Sequence, residues 1–395
     1  MVSIGLLWAA GLVLVETTQE ARAQSFQTAA PTAILMDATS HAVLFEKNAD
    51  EQTAPASMAK IMTAEVVFNE LKNGRLSMDT EFNISENAWR KGGGGSGGSS
   101  MFAKVNTSVR LEDLLRGLIV QSGNDAAVAI AEGISGTEEN FANLMNRRAR
   151  EIGLESSTFR NATGYHHPEQ KVTVRDLAKL SMHVIETYPE LYKIFGEREF
   201  TWNKIRQQNR NPLLAIDGLG ADGLKTGYIE ESGYGLTASA VQDDQRLIVV
   251  VNGLKSSRER ANEARKLLDW GFRAFEPRQL FEEGQVVGEA QVFGGNKRSL
   301  PLVAKRAVRV LVPRGDDERV TARIIYTGPI QAPIQQGTEV AKLQVNRGDM
   351  QALEMPLYAK EDIQEGTLSQ RALDGLLEFS TGWVRRAFSR VVDGI

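Results

Sequence analysis

Apolar positions near the start of the chain follow two different periods. Ala33–Asp37 and His41–Lys47 are short apolar-rich runs separated by the turn Ala38–Ser40, which predicts a pair of strands. From Pro55 to Leu71 the apolar residues occur on every side at helical spacing, and a helix that is apolar all round is usually buried. The pattern therefore predicts a hairpin followed by a core helix.

Further helices and a second hairpin follow along the chain. The helices are predicted at Leu111–Val120, Asn124–Ile134, Phe141–Ile152, Val174–Glu186 and Ser257–Phe275, and the second hairpin at Leu236–Ala240 and Leu247–Asn252. Because strands lie at both ends with helices between them, we expect an α/β sandwich in which helices cover a sheet. Hairpin connections make that sheet largely antiparallel.

The pattern changes near Glu276, where helical spacing ends. From Phe281 to about Ile363, short alternating runs separated by Gly and Pro predict a small all-β domain. Leu368–Ile395 returns to helical spacing with its apolar residues on one face, which predicts an amphipathic helix. Such a helix suits the surface of a membrane, and docking onto the protein itself is the alternative.

Residues 1–23 are typical of an export signal. The apolar run Ile4–Val15 is shorter than the roughly 20 residues that a helix needs to cross a bilayer. Ala21-Arg22-Ala23 then supplies a small-x-small cleavage site before Gln24. A buried helix or an uncleaved anchor is the other interpretation. The predicted units are therefore a signal peptide at 1–23, a large domain at 24–276, a β-rich domain at 277–363 and a tail helix at 364–395.

Composition narrows the classes of chemistry. The 395 residues are enough for two or three domains, and a formal net charge of -4 gives no general attraction to nucleic acid, so no nucleic-acid partner is expected. The chain has no cysteine, which excludes disulfides, thiolate metal sites and a cysteine nucleophile. Its four histidines, His41, His166, His167 and His183, show no paired metal-ligand spacing. We therefore expect neither a metal ion nor another cofactor.

Three short motifs occur in a set order. Ser57-Met58-Ala59-Lys60 begins the core helix, Ser122-Gly123-Asn124 lies at a break between two helices, and Lys225-Thr226-Gly227 precedes the second hairpin. A Ser-x-x-Lys sequence alone is common by chance. All three motifs in this order and at these spacings indicate serine nucleophilic catalysis.

The first motif pairs a nucleophile with a base. Ser57 and Lys60 are three residues apart on one helix face, so the lysine amine can reach the serine hydroxyl, which needs a base to take its proton. Lys60 can be that base only if it is neutral. Burial and a second cation lower a lysine pKa, and we expect Lys225 to be that cation. The alternative is a charged Lys60 that anchors Asn124 and backbone carbonyl groups.

The other motif residues suit the remaining steps of such a reaction. Ser122 can relay a proton to a leaving amine, and Asn124 can accept a hydrogen bond from the lysine and donate one to a substrate amide oxygen. For both residues a helix cap is the alternative. Lys225 and Thr226 suit a free carboxylate, although an ordinary strand lysine is the alternative for Lys225. Gly227 leaves room for substrate along a strand edge.

The glycine-rich segment Lys91–Ser100 is predicted to be a flexible loop. It contains a literal Gly-x-Ser-x-Gly around Ser96. A nucleophile elbow needs a strand before the serine and a helix after it, and glycines flank Ser96 instead. Ser96 is therefore not expected to be the nucleophile.

The three motifs resemble those of the penicillin-binding proteins and serine β-lactamases. Their surroundings, Pro55–Thr63, Gln121–Ala126, Asn209–Asn211 and Asp222–Gly227, are similar to the low-molecular-mass serine D-alanyl-D-alanine carboxypeptidases. The resemblance implies the penicillin-binding fold, with the sandwich as its catalytic domain. It also implies an acyl-enzyme route in which Ser57 attacks the carbonyl between the two terminal D-alanines of a peptidoglycan stem peptide, and water then frees the product.

The resemblance assigns further roles. The family's oxyanion hole maps onto the backbone amides of Ser57 and Tyr228, and Arg260 matches an arginine near the substrate carboxylate. β-Lactams are expected to acylate Ser57 and to leave slowly. The reason is that the Glu-x-x-Leu-Asn segment, which one β-lactamase class uses for deacylation, is absent between Ser122 and Lys225.

Other functions remain as alternatives. A β-lactamase shares the chemistry, but the absent segment and the C-terminal domains disfavour it. An enzyme that cuts D-alanine cross-links uses the same site, whereas a non-catalytic cell-wall-binding scaffold has no need of Ser57 beside Lys60. The prediction is a carboxypeptidase with peptidoglycan stem peptides and β-lactams as its ligands. We expect it to be exported to the periplasm and held on the outer face of the inner membrane by its tail helix.

Overall fold

The computed structural model describes residues 26–315, 319–348, 350–368 and 391–392. Its first unit contains β1 (Thr32–Asp37), β2 (Val43–Lys47), α1 (Lys60–Lys72), β3 (Glu81–Asn83), α2 (Glu86–Gly92), β4 (Ser108–Arg110), α3 (Leu111–Ile119), α4 (Asn124–Ser135), α5 (Glu138–Ile152), α6 (Val174–Thr187), α7 (Pro189–Tyr192), β5 (Glu199–Trp202), β6 (Ile205–Gln208), β7 (Ala221–Ile229), β8 (Gly233–Gln242), β9 (Gln245–Leu254) and α8 (Ser257–Ala274). Short 3-10 turns lie at Ala56–Ala59, Gly94–Ser96, Lys193–Gly196 and Pro212–Ala215.

An antiparallel sheet in the order β2-β1-β9-β8-β7 forms the centre of this unit. Side chains of β1 alternate across it. Ile34 and Met36 belong to the core formed with α1 and α3 to α6, whereas Ala33 and Leu35 belong to the core formed with α8. Because helices cover both faces of the sheet, the predicted α/β sandwich is confirmed.

A β-rich unit follows α8. Its strands are β10 (Phe275–Phe281), β11 (Val286–Phe293), β12 (Ser299–Val303), β13 (Val308–Pro313), β14 (Val320–Ile325), β15 (Ile330–Gln331), β16 (Glu339–Arg347), β17 (Met350–Ala359) and β18 (Val391–Val392). β10 pairs with β13, and the others form a sheet in the order β15-β11-β12-β17-β16-β14-β18. This unit has its own core, which includes Leu300, Leu302, Leu343 and Val345. The predicted all-β character of this region is confirmed.

The third motif lies on a strand that the sequence pattern does not reveal. The motif was expected ahead of the second hairpin, whereas Lys225 lies within β7, at the edge of the sheet, opposite Thr237 of β8. Glycines at 223 and 227 hide the strand pattern. A Cβ on Gly227 would lie 2.8 Å from the carbonyl oxygen of Pro55, so glycine lets β7 approach the turn that carries Ser57.

The two ends of the chain fall largely outside the described residues. This applies to the predicted signal peptide at 1–23 and to most of the predicted tail helix. Val391 and Val392 pair with Arg323 and Ala322 of β14, so the helix prediction is wrong at these two residues. β-Branched side chains favour an extended backbone at a sheet edge. None of the described helices is long and apolar enough to cross a membrane.

Candidate active site

Ser57 lies in the 3-10 turn Ala56–Ala59, which leads directly into α1. Residues i and i+3 lie above one another in such a turn, so the Lys60 side chain returns to the serine. Gly164 packs against the same turn. Its φ is +82°, and a Cβ there would lie 1.9 Å from the carbonyl oxygen of Ala56. The loop that contains Gly164 therefore approaches the turn that carries Ser57 closely only because this residue is glycine.

The Lys60 amine is the centre of the site. Lys60 is 1% exposed, and its Nζ lies 3.1 Å from Ser57 Oγ, 2.7 Å from Asn124 Oδ1 and 2.5 Å from the carbonyl oxygen of Thr163. A neutral amine has two N–H donors and one lone pair, and the two carbonyl oxygens can only accept. When Lys60 is neutral, its lone pair therefore faces Ser57 Oγ.

Burial lowers the pKa of Lys60 to about 7. The Asp125 carboxylate opposes this shift, and the Arg210 guanidinium adds to it. Arg210 is thus a cation that acts on Lys60 in addition to the expected Lys225, because Lys60 and Lys225 also repel each other. Lysine at this position is thus neutral in a large fraction of molecules near pH 7, as a base requires.

Lys225 lies beside this group and is 2% exposed. Its pKa lies well below its ordinary value, first because of burial and then because the charges of Lys60, Arg210 and Arg260 repel its own. Its Nζ lies 3.3 Å from the carbonyl oxygen of Thr226. A pocket with this many cations favours a bound anion.

Ser122 is 2% exposed, and its Oγ has no hydrogen-bond partner among the described residues. Its φ is +66°, in the left-handed region that serine rarely adopts. Strained residues with unpaired buried hydroxyls concentrate at functional sites. The helix-cap alternative fails for Ser122 and Asn124, because α4 begins at Asn124, its N-cap is Gly123, and no side chain caps it.

A cavity of about 630 Å³ opens over these groups. All the predicted site residues except the two lysines line it, namely Ser57, Ser122, Asn124, Thr226, Gly227, Tyr228 and Arg260. Lys60 and Lys225 are buried directly behind these lining residues. The structure therefore brings the three motifs together around one space.

Arg260 projects from the first turns of α8 into the wall of this cavity. Its guanidinium carbon lies 5.6 Å from the centre of the Tyr234 ring, which stacks on Tyr228 at 4.1 Å. Arg260 is 8% exposed, and its Nε has no hydrogen-bond partner in the described part of the chain. The aromatic pair thus holds a buried guanidinium that retains an unused donor.

Several residues that line the cavity were not predicted to belong to the site, among them Thr163, Tyr165 and Arg210. Thr163 acts through its backbone carbonyl, for which no side-chain signal exists. Arg210 lies within Asn209–Asn211, a segment that carries the family resemblance, and this was the available signal. Tyr165 belongs to no motif.

The glycine-rich segment is packed against the N-terminus of α4. α2 continues to Gly92, where a Cβ would lie 2.0 Å from the amide nitrogen of Asp125. The Ser99 carbonyl accepts a 2.8 Å hydrogen bond from the Asn124 amide, and Gly98 lines the cavity. The expected flexible loop is therefore a wall of the site with defined contacts.

No group of three or more His, Asp or Glu side chains suited to a metal ion occurs among the residues that the structure describes.

Residues 16–256 match the family described as D-alanyl-D-alanine carboxypeptidase. The chain belongs to this family. Residues 275–365 match the C-terminal domain of penicillin-binding protein 5. D-alanyl-D-alanine carboxypeptidase DacC from Escherichia coli (strain K12) is 40% identical over 358 residues, which cover 90% of this chain and 90% of that protein.

Solved structures agree with this assignment. Penicillin-binding protein 5 from Haemophilus influenzae has a TM-score of 0.77 and 38% identity, and the match covers 86% of this carboxypeptidase and 99% of that chain. Penicillin-Binding Protein D2 from Listeria monocytogenes, in the ampicillin bound form, has a TM-score of 0.56 and 28% identity over 62% of this chain and 98% of that one. The expected family and penicillin-binding fold are confirmed.

Proposed function

We propose that this serine carboxypeptidase removes the terminal D-alanine from peptidoglycan stem peptides, with Ser57 as its nucleophile. The observation that carries the proposal is the 3.1 Å contact between Ser57 Oγ and Lys60 Nζ at the wall of the cavity. Lys60 takes the hydroxyl proton, Oγ attacks the carbonyl carbon between the two D-alanines, and the C–N bond breaks as the leaving amine takes up a proton. Water then hydrolyses the ester, releases the shortened peptide and restores the serine.

The cationic groups are assigned to the carboxylate of the terminal D-alanine. Lys225, Thr226 and Arg260 receive it, and Arg210 lies on the same cavity wall. An anion beside Lys225 raises the pKa of that lysine and keeps it charged. The charge on Lys225, together with burial, keeps the pKa of Lys60 low. Substrate binding therefore keeps the proton on Lys225 and leaves Lys60 neutral, which prepares the base for its task.

The remaining motif residues are assigned to the leaving group and the developing oxyanion. Ser122 Oγ, which lacks a partner among the described residues, relays the proton to the leaving amine. Asn124 donates from Nδ2 to a substrate amide oxygen. The backbone amides of Ser57 and Tyr228 hold the negative oxygen of the tetrahedral intermediate. Gly227 lets β7 lie against the turn that carries Ser57, and it borders the cavity in which the peptide is placed.

β-Lactams are proposed to acylate the same serine. The likeness to Penicillin-Binding Protein D2 in its ampicillin bound form supports this assignment. The acyl group leaves slowly, because the segment that one β-lactamase class uses for deacylation is absent. Cleavage of D-alanine cross-links is the second activity that the same groups could perform.

The assay that tests this function is D-alanine release from a peptide that ends in Lys-D-Ala-D-Ala. We expect one D-alanine per peptide, and a rate at least about 100-fold lower when the terminal carboxylate is amidated, because the cationic groups then lose their anion. Equal rates for the two peptides would contradict the carboxylate assignment. No release from folded protein would transfer the assignment to cross-link cleavage or β-lactam hydrolysis.

The domain division and location are part of the proposal. We assign 1–23 to a cleaved signal, 24–276 to the catalytic domain, 277–363 to the β domain and 364–395 to a membrane-surface tail whose helix excludes Val391 and Val392. The protein is then periplasmic and peripheral on the outer face of the inner membrane. Support comes from the one-sided apolar face of the tail, which includes Trp383 and Phe388.

Deletion of residues 364–395 tests the membrane assignment. We expect the full chain to float with anionic liposomes in a density gradient and the truncated protein to stay at the bottom. D-Alanine release by the truncated protein serves as the control for folding and should equal that of the full chain. Flotation of both proteins to the same extent would show that another surface binds the lipid.

A further inference from the structure

Tyr165 contacts two parts of the site that are far apart in sequence. Its hydroxyl oxygen lies 2.9 Å from Asn124 Nδ2 and 2.6 Å from the carbonyl oxygen of Lys91, where the glycine-rich segment begins. Asn124 in turn accepts a hydrogen bond from Lys60 through Oδ1. The Tyr165 hydroxyl is therefore linked to the Lys60 amine indirectly, through the side chain of Asn124.

The chemistry of the three groups fixes the direction of each hydrogen bond. The Lys91 carbonyl can only accept, so the single hydroxyl proton of Tyr165 points to it. The lone pairs of that oxygen are then left for Asn124, which must turn its NH₂ group toward the tyrosine. With Nδ2 held there, Oδ1 faces Lys60, and one Nδ2 proton remains for a substrate.

We propose that Tyr165 is a positioning residue that holds the Asn124 amide in its productive orientation and joins it to the glycine-rich wall of the cavity. This inference rests on the proposed function, because it concerns the acylation of Ser57. Tyr165 does not touch the serine or the lysine amine. It acts through Asn124.

The backbone of Tyr165 is held independently of its hydroxyl. Its carbonyl accepts from Asn161 Nδ2 at 3.1 Å and from Gln170 Nε2 at 2.9 Å, and its amide donates to Thr163 Oγ1 at 3.1 Å. Removing the hydroxyl therefore leaves the ring in place. A change in rate would report the lost hydrogen bonds rather than a displaced loop.

Gly98 packs against the same two groups, the Asn124 amide and the Tyr165 hydroxyl. A Cβ on Gly98 would lie 2.8 Å from Asn124 Nδ2 and 3.1 Å from the Tyr165 hydroxyl oxygen. The glycine thus permits the wall to close over the Asn124–Tyr165 contact. Any side chain at this position must push one of the two groups aside.

The test is Tyr165→Phe, with the rate of covalent labelling by a fluorescent penicillin and the kinetics of D-alanine release as readouts. We expect the labelling rate and kcat to fall about tenfold, the size expected for one lost positioning hydrogen bond, while KM changes less than about twofold. Tyr326→Phe is the matched control. It removes a hydroxyl that accepts from the Gln291 amide in the β domain, and both rates should remain at the parent value.

A double-mutant cycle identifies the residue through which Tyr165 acts. In an Asn124→Ala background, labelled over hours, the change Tyr165→Phe should reduce the remaining rate less than about twofold. A full tenfold loss in both backgrounds, or no loss in either, would overturn the proposal. If Tyr165→Phe proves unstable, Gly98→Ala replaces it and should lower kcat with the same dependence on Asn124.

Failure of the proposed function is distinguishable from failure of this inference. If the parent protein takes up no penicillin, the function itself is wrong. If the parent is labelled and Tyr165→Phe is labelled at the same rate with the same kcat, the function stands and the positioning role is wrong.

Discussion

Replacing Ser57 by alanine is expected to abolish both D-alanine release and covalent penicillin labelling. We expect a loss of at least about 10⁴-fold in kcat, because no other described hydroxyl contacts the Lys60 amine. The change removes one partly buried oxygen from a 3-10 turn, so the free energy of unfolding should change little. Urea unfolding and the two activity assays on the same protein preparation measure both quantities.

The matched control for this change is Ser96→Ala. Ser96 carries the literal Gly-x-Ser-x-Gly, lies in the short turn Gly94–Ser96, and is not among the residues that line the cavity. The alanine variant should keep the parent rate within about twofold. A loss at Ser96 with activity retained at Ser57→Ala would reverse the assignment of the nucleophile.

Replacing Lys60 by methionine is expected to lower kcat about 10³-fold, within the range of a lost general base. Methionine matches the length of the lysine stem and suits its buried position. Lys60→Arg should be equally inactive, because arginine stays protonated and cannot accept the serine proton. The alternative, in which Lys60 is only a charged anchor, predicts instead that the arginine variant retains much of the rate.

The pH dependence of the parent enzyme gives the same test without a substitution. The base is the neutral form of Lys60, so kcat/KM should rise about tenfold per pH unit below the pKa of Lys60 and should fall again at higher pH, where Lys225 loses the charge that binds the substrate carboxylate. Because burial lowers the pKa of Lys60 to about 7, the change of slope should fall near neutral pH. A profile that is flat from pH 5 to pH 9 would contradict the base role.

The sequence predicts the centre of this site because its key contact is local. Ser57 and Lys60 are three residues apart, and any tight helical turn brings them together. The order of the three motifs then predicts which distant segments join them. These parts of the site can be predicted without knowing the conformation of the loops.

The rest of the site depends on contacts that leave no local pattern. The Thr163 carbonyl reaches Lys60 only because Gly164 allows its loop to approach the Ala56 carbonyl. Arg210 also acts on Lys60 as a cation, which the sequence does not reveal because the influence of a charge depends on distance and burial. β7 was not recognised because its glycines break the alternation on which strand prediction depends.

For the glycine-rich segment, composition led to the opposite error, the prediction of a flexible loop where the structure has defined contacts. Its composition is typical of a flexible linker, whereas its glycines at 92 and 98 permit close packing against α4 and the Asn124–Tyr165 contact. Composition shows that side chains are absent. Only the structure shows which atoms occupy the space that they leave.

The most direct test of the central claim is the position of the covalent penicillin adduct, measured by mass spectrometry after tryptic digestion. We expect an adduct of one penicillin per chain on the peptide Asn48–Lys60, which contains Ser57. An adduct on Gly92–Lys104, which contains Ser96, or on the peptide that contains Ser122, would contradict the assignment of the nucleophile.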